Sequence, residues 1–171
     1  GMLANAEVYG ADSVILDLED GVPVSEKDAA RILVRNALQH IPYRRAEVTV
    51  RVNALSTPFG RDDFREIIPL APDAVRLPKC ESADDVREAD AMMTEIELEN
   101  GIEPGTVGII AITESARGGR NLSEIAAESP RLIALNYGAE DYTADIGAVR
   151  TKEGRELDDI RAKVIVAARI A

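Results

Sequence analysis

Charged and polar side chains follow the ends of five short apolar segments, where a parallel α/β protein places its chemistry. These groups occupy residues 17–20, 51–53, 76–79, 113–115 and 137–141. Because the carboxyl ends of parallel strands meet at one sheet edge or one barrel rim, we expect the five groups to converge. The sequence therefore predicts a site that combines carboxylates with cations.

Two carboxylates in this set, Glu114 and Asp141, come directly after predicted strands. Carboxylate oxygens are hard donors of the kind that hold Mg²⁺. The alternative interpretation of the pair is two solvated loop carboxylates. Neither His40 nor Cys80 has a second histidine or cysteine with which to build a metal site.

Arg51 is expected to point away from the helix layer. Three apolar residues of its strand share the opposite face: Val48, Val50 and Val52. Asp17 and Arg76 also interrupt apolar strands, and a buried charge is costly unless it is paired. For Asp17, a buried salt bridge with an arginine and a direct catalytic role both stay open.

Short β-branched segments alternate with helical segments along the whole chain. The predicted strands span 13–18, 47–53, 74–78, 107–113 and 131–137. The predicted helices span 25–39, 61–68, 82–100, 121–128 and 156–171. Ser25 and Ser82 are the predicted N-caps of the first and third helices, and Gly101 is the predicted C-cap of the third.

This alternation predicts an α/β fold with parallel strands. A closed (β/α)₈ barrel needs eight strands and about 250 residues. Five strands in 171 residues leave two architectures open, an open doubly wound sheet or part of a barrel.

Composition limits the classes of partner. The chain has 20 Lys and Arg against 31 Asp and Glu, a net charge of −11, which predicts no nucleic acid partner. No apolar run approaches the roughly 18 residues of a membrane span, and no signal peptide is visible, so no membrane partner is expected. The single cysteine excludes an intrachain disulfide and predicts a cytoplasmic protein.

Six short motifs occur in one order along the chain: DLED at 17–20, EKD at 26–28, VRVN at 50–53, LPK at 77–79, TES at 113–115 and GAED at 138–141. In this the chain resembles the citrate lyase β-subunit family of the HpcH/HpaI aldolase superfamily, over nearly its whole length. The resemblance implies a (β/α)₈ TIM barrel. Residues 1–171 are then expected to form a single partial barrel domain covering about strands 2–6, without the first strand and the last two.

The resemblance also implies a carbon–carbon lyase. The expected reaction is a Mg²⁺-dependent retro-Claisen cleavage of a citryl or related 3-hydroxyacyl thioester into an acetyl thioester and oxaloacetate. The implied metal ligands are Glu114 and Asp141. Arg51 is the implied catalytic and substrate-binding cation, and face geometry makes Glu19 a candidate for a supporting or proton-transfer role. The backbone around three further residues is implied to bind the keto acid: Gly138, Ala139 and Glu140.

The implied partners are oxaloacetate or a citryl thioester, carried on CoA or an acyl carrier, together with citrate lyase complex subunits in a homo-oligomer. Two other functions stay open: a pyruvate aldolase acting on free hydroxy-keto acids, and a non-catalytic binding or assembly subunit. The joint presence of Arg51, Glu114 and Asp141 favours an enzyme over the non-catalytic subunit.

Overall fold

The computed structural model describes residues 3–171. Its strands are β1 (Ser13–Asp17), β2 (Glu47–Arg51), β3 (Ala74–Leu77), β4 (Gly108–Thr113) and β5 (Leu132–Tyr137). Its α-helices are α1 (Lys27–His40), α2 (Gly60–Ile67), α3 (Ala83–Glu99), α4 (Ala116–Arg120), α5 (Leu122–Ala127), α6 (Ala139–Asp145) and α7 (Asp158–Ile170). Short 3₁₀ segments lie at Leu3–Tyr9, Val24–Glu26, Ile68–Leu70 and Arg155–Leu157.

The strands form one five-stranded sheet in the order β1-β2-β3-β4-β5. The pairings β1 with β2, β2 with β3 and β4 with β5 are parallel. In the β1–β2 register Asp17 is the direct neighbour of Arg51. The predicted parallel α/β fold is confirmed.

Chain contacts divide the protein into two compact units. The first runs to Arg76 and includes Ala91–Gly108, and the second comprises Leu77–Asp90 with Ile109–Ala171. The assignment of residues 1–171 to a single partial barrel domain stays a prediction.

The first unit is built on the buried faces of its strands and helices. Fully buried members of its core include Leu16, Val50, Val75, Phe64 and Ile67. The valine face of β2 is buried as predicted, with Val48 and Val50 packed away from solvent. Burial of this apolar surface is the main favourable term that holds the unit together.

A buried polar network joins the ends of β1 and β2 to the helices of the first unit. The ammonium of Lys27 donates to the carbonyls of Leu18 and Glu19 and to Oδ1 of Asn53, each at 2.8 Å. Asp63, 1% exposed, accepts from the backbone and side-chain amides of Asn53 at 2.9 and 2.6 Å. Buried charges are tolerated when hydrogen bonds satisfy them in this way.

The network extends to a further cation through Asp63. Arg31 Nε donates to Asp63 Oδ1 at 2.8 Å, and Arg31 Nη1 donates to Asp28 at 3.0 Å. The pKa of Arg31 is raised, because these two carboxylates outweigh the opposing effect of burial. The backbone that follows β1 is therefore held directly by Lys27 and Asn53, and Asp63, itself bound by Arg31, holds Asn53 in turn.

In the second unit, α5, α6 and α7 pack around a separate apolar cluster. Its buried members are Leu122, Ala126, Tyr142, Leu157, Ile160 and Ala167. All residues of β4 are buried, as expected for a parallel strand covered on both faces. This packing fixes the start of α6 beside the end of β4, where the predicted metal ligands lie.

Several element ends differ from the predictions. Ser25 lies inside a 3₁₀ turn and makes no side-chain cap, so its predicted N-cap role is wrong. At the start of α3, Ser82 occupies the predicted N-cap position, and the carboxylate of Asp85 accepts from its amide and hydroxyl, as the residue three positions on does in a capping box. Gly101 has a left-handed φ of 69°, which confirms the predicted C-cap. Helices α4 and α6 were not predicted, because each has only a turn or two and no apolar periodicity.

Among residues 3–171, no helix is both long and apolar enough to cross a membrane.

Glu97 holds the loop that follows α3, and we expect its conversion to glutamine to destabilise the fold. Its carboxylate is 0% exposed and accepts from the amides of Gly105 at 2.9 Å and Val107 at 3.0 Å. Glutamine keeps one acceptor and leaves a buried amide unsatisfied, which costs about 1–2 kcal/mol.

Urea unfolding checks this expectation. The Glu97→Gln midpoint should fall with an unchanged dependence on denaturant concentration. Glu99→Gln, an exposed change two residues along the same helix, is the control and should stay within about 0.5 kcal/mol of the wild type. Equal midpoints for the two variants would contradict the role given to Glu97.

Candidate functional site

An acidic cleft opens in the second unit at the ends of β3 and β4, with a volume of about 340 Å³. Its lining residues are Lys79, Glu81, Glu114, Ser115, Asp141, Ala144 and Asp145. Four carboxylates and one ammonium in one cleft favour a cationic ligand. We call this the acidic cleft below.

Glu114 is held at the floor of the acidic cleft. It follows β4 directly, is 7% exposed, and its Oε1 accepts from the Lys79 amide at 3.3 Å. A Cβ placed on Gly138 would lie 2.8–3.0 Å from the Glu114 side chain, so any larger residue there would displace the Glu114 carboxylate. The sheet edge therefore determines where this carboxylate lies.

Asp141 enters the same cleft from the first turn of α6. The Gly138 amide donates to the Thr113 carbonyl at 3.0 Å and extends the β4–β5 pairing, after which the Tyr142 amide donates back to the Gly138 carbonyl at 3.0 Å. α6 therefore starts immediately beyond the pairing. The structure thus brings Glu114 and Asp141 to one cleft. Two unrelated carboxylates in solvated loops would have no reason to converge there.

The three residues implied to bind a keto acid differ in whether their backbone amides already donate to another group. The Gly138 amide already donates to Thr113. The amides of Ala139 and Glu140 lie in the first turn of α6, where helix amides have no carbonyl partner within the helix. The Glu140 side chain is exposed and pairs with Arg150 at 3.4 Å. A backbone role is consequently better supported for Ala139 and Glu140 than for Gly138.

In the first unit, Arg51 forms a two-pronged ion pair with Asp17. Arg51 Nε and Nη2 donate to the two carboxylate oxygens at 2.7 and 2.6 Å. Hydrogen bonding to Asp17 raises the pKa of Arg51, so the guanidinium stays charged. The predicted need of Asp17 and Arg51 for a partner is met by each other, through adjacent positions on β1 and β2.

Glu19 makes a second contact with the same guanidinium. It is 5% exposed, its Oε2 lies 3.4 Å from Arg51 Nη1, and the same oxygen accepts from the Asp20 amide at 2.8 Å. Two carboxylates therefore hold one arginine side chain. The placement of Arg51 in one pocket with Glu114 and Asp141 stays a prediction.

Arg76 also interrupts an apolar strand. Its Nε donates to Thr49 Oγ1 at 3.0 Å. Burial lowers the pKa of Arg76, the Glu47 carboxylate opposes this, and the neighbouring Arg51 adds to it. Arg76 thus donates to a neutral hydroxyl, in contrast to Arg51, which is held by carboxylates.

The sequence reasoning missed two carboxylates that line the acidic cleft, Glu81 and Asp145, and it placed Lys79 at a strand end without giving it a role. Lys79 has a left-handed φ of 52°, a strained conformation for a residue with a side chain. Glu81 and Asp145 supply further carboxylates, and Asp145 accepts from the Ala116 amide at 2.7 Å. The LPK motif at 77–79 was the only signal near them, and it identifies a strand end without showing which side chains share its cleft.

The Asp17–Arg51 pair should make stability depend on pH in the acid range. Burial raises the pKa of Asp17, but the hydrogen bond from Arg51 and those from the Glu19 and Gly21 amides outweigh it, so the pKa lies below its ordinary value of 3.8. Because the folded pKa is depressed, the stabilisation is complete above the unfolded pKa and is lost as the pH falls through the folded one.

We therefore expect the wild-type free energy of unfolding to fall more steeply than that of Asp17→Asn between about pH 4 and pH 2. Urea unfolding at a series of pH values checks this. Parallel curves for the two proteins would show that the pair contributes nothing to acid stability.

The acidic cleft fits a divalent cation by the chemistry of its donors. Mg²⁺ in proteins takes one or two carboxylates, substrate oxygens and waters. Glu114 and Asp141 offer two carboxylates at one cleft with room for both kinds of additional oxygen.

Comparisons with known proteins agree with this chemistry. The family model "HpcH/HpaI aldolase/citrate lyase" matches residues 1–171. A citrate lyase subunit beta from Haemophilus influenzae is 44% identical over 170 residues, covering 99% of this chain and 58% of the relative. An L-malyl-CoA/beta-methylmalyl-CoA lyase from Cereibacter sphaeroides is 38% identical over 147 residues, covering 84% of this chain and 46% of that protein.

Among solved structures, the citrate lyase beta subunit of Mycobacterium tuberculosis with oxaloacetate and magnesium has a TM-score of 0.74. It is 33% identical, and the match covers 98% of this chain and 71% of that one. The chain spans about half the length of the curated relatives it matches.

Proposed function

The chain belongs to the HpcH/HpaI aldolase/citrate lyase family, and we propose that it supplies active-site residues of a Mg²⁺-dependent carbon–carbon lyase. The substrate class is a citryl or related 3-hydroxyacyl thioester. The observation that carries the proposal is that Glu114 and Asp141 line one cleft in a chain 44% identical to a citrate lyase subunit beta.

The proposed reaction is a retro-Claisen cleavage. The bond between the thioester α-carbon and the hydroxyl-bearing carbon breaks, and its electron pair passes into a thioester enolate. The hydroxyl loses its proton as its carbon becomes the keto group of oxaloacetate, and protonation of the enolate carbon gives the acetyl thioester. Bound Mg²⁺ would lower the pKa of the hydroxyl and polarise the forming carbonyl.

The side chains of this protein are proposed to divide the remaining work. Glu114 and Asp141 would hold the metal, and the amides of Ala139 and Glu140 would orient a carboxylate of the acid half. Arg51 would stabilise the negative charge that develops in the transition state, since a preorganised donor is most effective where charge appears. Glu19, 3.4 Å from Arg51, would keep the guanidinium in place or accept the hydroxyl proton.

Partners and location follow from the same proposal. The acyl group is proposed to be carried on CoA or an acyl carrier, as the names of the related lyases suggest for CoA. Membership of a citrate lyase complex, a homo-oligomeric state and a cytoplasmic location are proposed with it. The names of the relatives give the thioester lyase more support than a pyruvate aldolase acting on free acids or a non-catalytic subunit.

A coupled assay tests the proposed function. Citryl-CoA and Mg²⁺ are supplied to the protein, and released oxaloacetate is followed by malate dehydrogenase and NADH oxidation. We expect turnover that EDTA abolishes and that added Mg²⁺ restores. Parallel reactions with malyl-CoA and with a free hydroxy-keto acid identify the acid half and test the aldolase alternative. A folded protein that cleaves none of the thioesters would overturn the proposal.

A further inference from the structure

Glu81 lines the acidic cleft, but the proposed reaction gives it no part. It lies in the segment 79–82 that follows β3, and its side chain is 38% exposed. Its Oε1 accepts a hydrogen bond from Ser115 Oγ at 2.6 Å, a short contact typical of a hydroxyl bound to a carboxylate. Ser115 directly follows Glu114. We propose that Glu81 is a positioning residue for the metal ligand Glu114, acting through the hydroxyl of Ser115.

The hydrogen bonds of Ser115 leave its side chain little freedom. A serine hydroxyl has one proton, and here it is donated to Glu81. The same oxygen accepts from the Gly118 amide at 3.1 Å, which caps the start of α4. With donor and acceptor both engaged, the rotamer of Ser115 is held, and the backbone next to Glu114 is held with it.

Three further hydrogen bonds tie the segment 79–82 to the chain around Glu114. The Lys79 amide donates to Glu114 Oε1 at 3.3 Å, and the Cys80 amide donates to the Ile112 carbonyl at 2.9 Å. Asn121 Nδ2 donates to the Glu81 carbonyl at 2.8 Å. Lys79 itself has a left-handed φ, and such strain persists where surrounding contacts maintain it.

The two segments approach each other as closely as their backbones permit. A Cβ on Gly118 would lie 2.5 Å from the Cys80 carbonyl oxygen, so only glycine fits there. Because the two segments are in backbone contact, a shift of Ser115 after loss of its bond to Glu81 would also move the neighbouring Glu114 carboxylate. Groups that orient a metal ligand in this way typically change metal affinity by about 10–100-fold when removed.

A second explanation is that Glu81 attracts the cation only through its charge. Glu81→Gln separates the two, since the amide keeps a carbonyl oxygen for Ser115 and removes the charge. Positioning predicts that Glu81→Gln binds Mg²⁺ within about threefold of the wild type, because glutamine keeps the hydrogen bond from Ser115, although a neutral acceptor makes it only about half as strong. It also predicts that Glu81→Ala weakens binding by about tenfold or more. A pure charge effect predicts equal losses for both variants.

The inference rests on the proposed metal site, and titration of the protein with Mg²⁺ alone by calorimetry tests it. The variants are Glu81→Ala, Glu81→Gln, Ser115→Ala and the double variant Glu81→Ala/Ser115→Ala. We expect Ser115→Ala to weaken binding as much as Glu81→Ala, and the double variant to lose no more than either, since both changes break one hydrogen bond. Ser115→Thr keeps the hydroxyl and should restore binding, which a general loss of stability would not explain.

The outcomes separate this inference from the function on which it rests. Wild-type affinity in Glu81→Ala, with binding abolished in Glu114→Gln, would overturn the role of Glu81 and leave the metal site intact. Equal losses in Glu81→Gln and Glu81→Ala would replace positioning by charge. A wild-type protein that binds no Mg²⁺ would overturn the metal site and the inference together.

Discussion

Replacing Arg51 with alanine is expected to lower kcat/KM for citryl thioester cleavage by about 10²-fold or more, the scale for losing one charge-stabilising donor. The guanidinium donates two hydrogen bonds to Asp17 and lies in contact with Glu19, so it is preorganised before any substrate arrives. Steady-state kinetics of the protein that contains this chain give the measurement. Activity within a few-fold of the wild type would remove Arg51 from the mechanism.

Two companion variants separate catalysis from folding. Arg51→Ala also leaves the carboxylates of Asp17 and Glu19 without their cation, so its thermal unfolding must be measured beside its kinetics. Arg51→Lys keeps the charge but cannot make the planar two-pronged contact. We expect it to recover thermal stability more fully than kcat. If stability and kcat instead recover together, the effect of Arg51→Ala on rate is structural.

The second large effect is expected at the acidic cleft. Glu114→Gln and Asp141→Asn should each weaken Mg²⁺ binding by at least about 10²-fold. Loss of a group that only supports a metal ligand already costs up to about 100-fold in affinity, and loss of a ligand should cost no less. Each change replaces an anionic oxygen donor with a neutral amide of nearly the same shape, and the Lys79 amide still has an oxygen to bind in Glu114→Gln. Calorimetric titration with Mg²⁺ measures the loss directly.

Glu124→Gln is the matched control for these variants. It removes the same charge from an exposed position in the first turn of α5, outside the acidic cleft. Its Mg²⁺ affinity should equal that of the wild type. If the control weakens binding as much as Glu114→Gln, the titration is reporting overall negative charge, and the assignment of the two ligands fails.

The fold could be predicted from the sequence because its signals are local. Alternation of side chains along a strand and the helical period depend on residues a few positions apart, and they placed all five strands to within a few residues. The motif order and this alternation also identified the strand ends that carry Arg51, Glu114 and Asp141. The predicted N-cap at Ser25 is wrong because a 3₁₀ turn over Val24–Glu26, preceded by Pro23, comes before the helix. Ser25 lies within that turn and not at the position that flanks the helix.

What only the tertiary structure decided is which charged groups meet. The β1–β2 register, set by packing of the apolar strand faces, made Asp17 the partner of Arg51 across 34 positions of sequence. Likewise, Lys27 reaches Asn53 from 26 positions away, and Ser115 reaches Glu81 across 34. The sequence by itself determined the parallel α/β fold, the family and the residue types at the strand ends. Packing determined their partners, because hydrogen bonds act over about 3 Å and no short sequence pattern encodes which distant segments come that close.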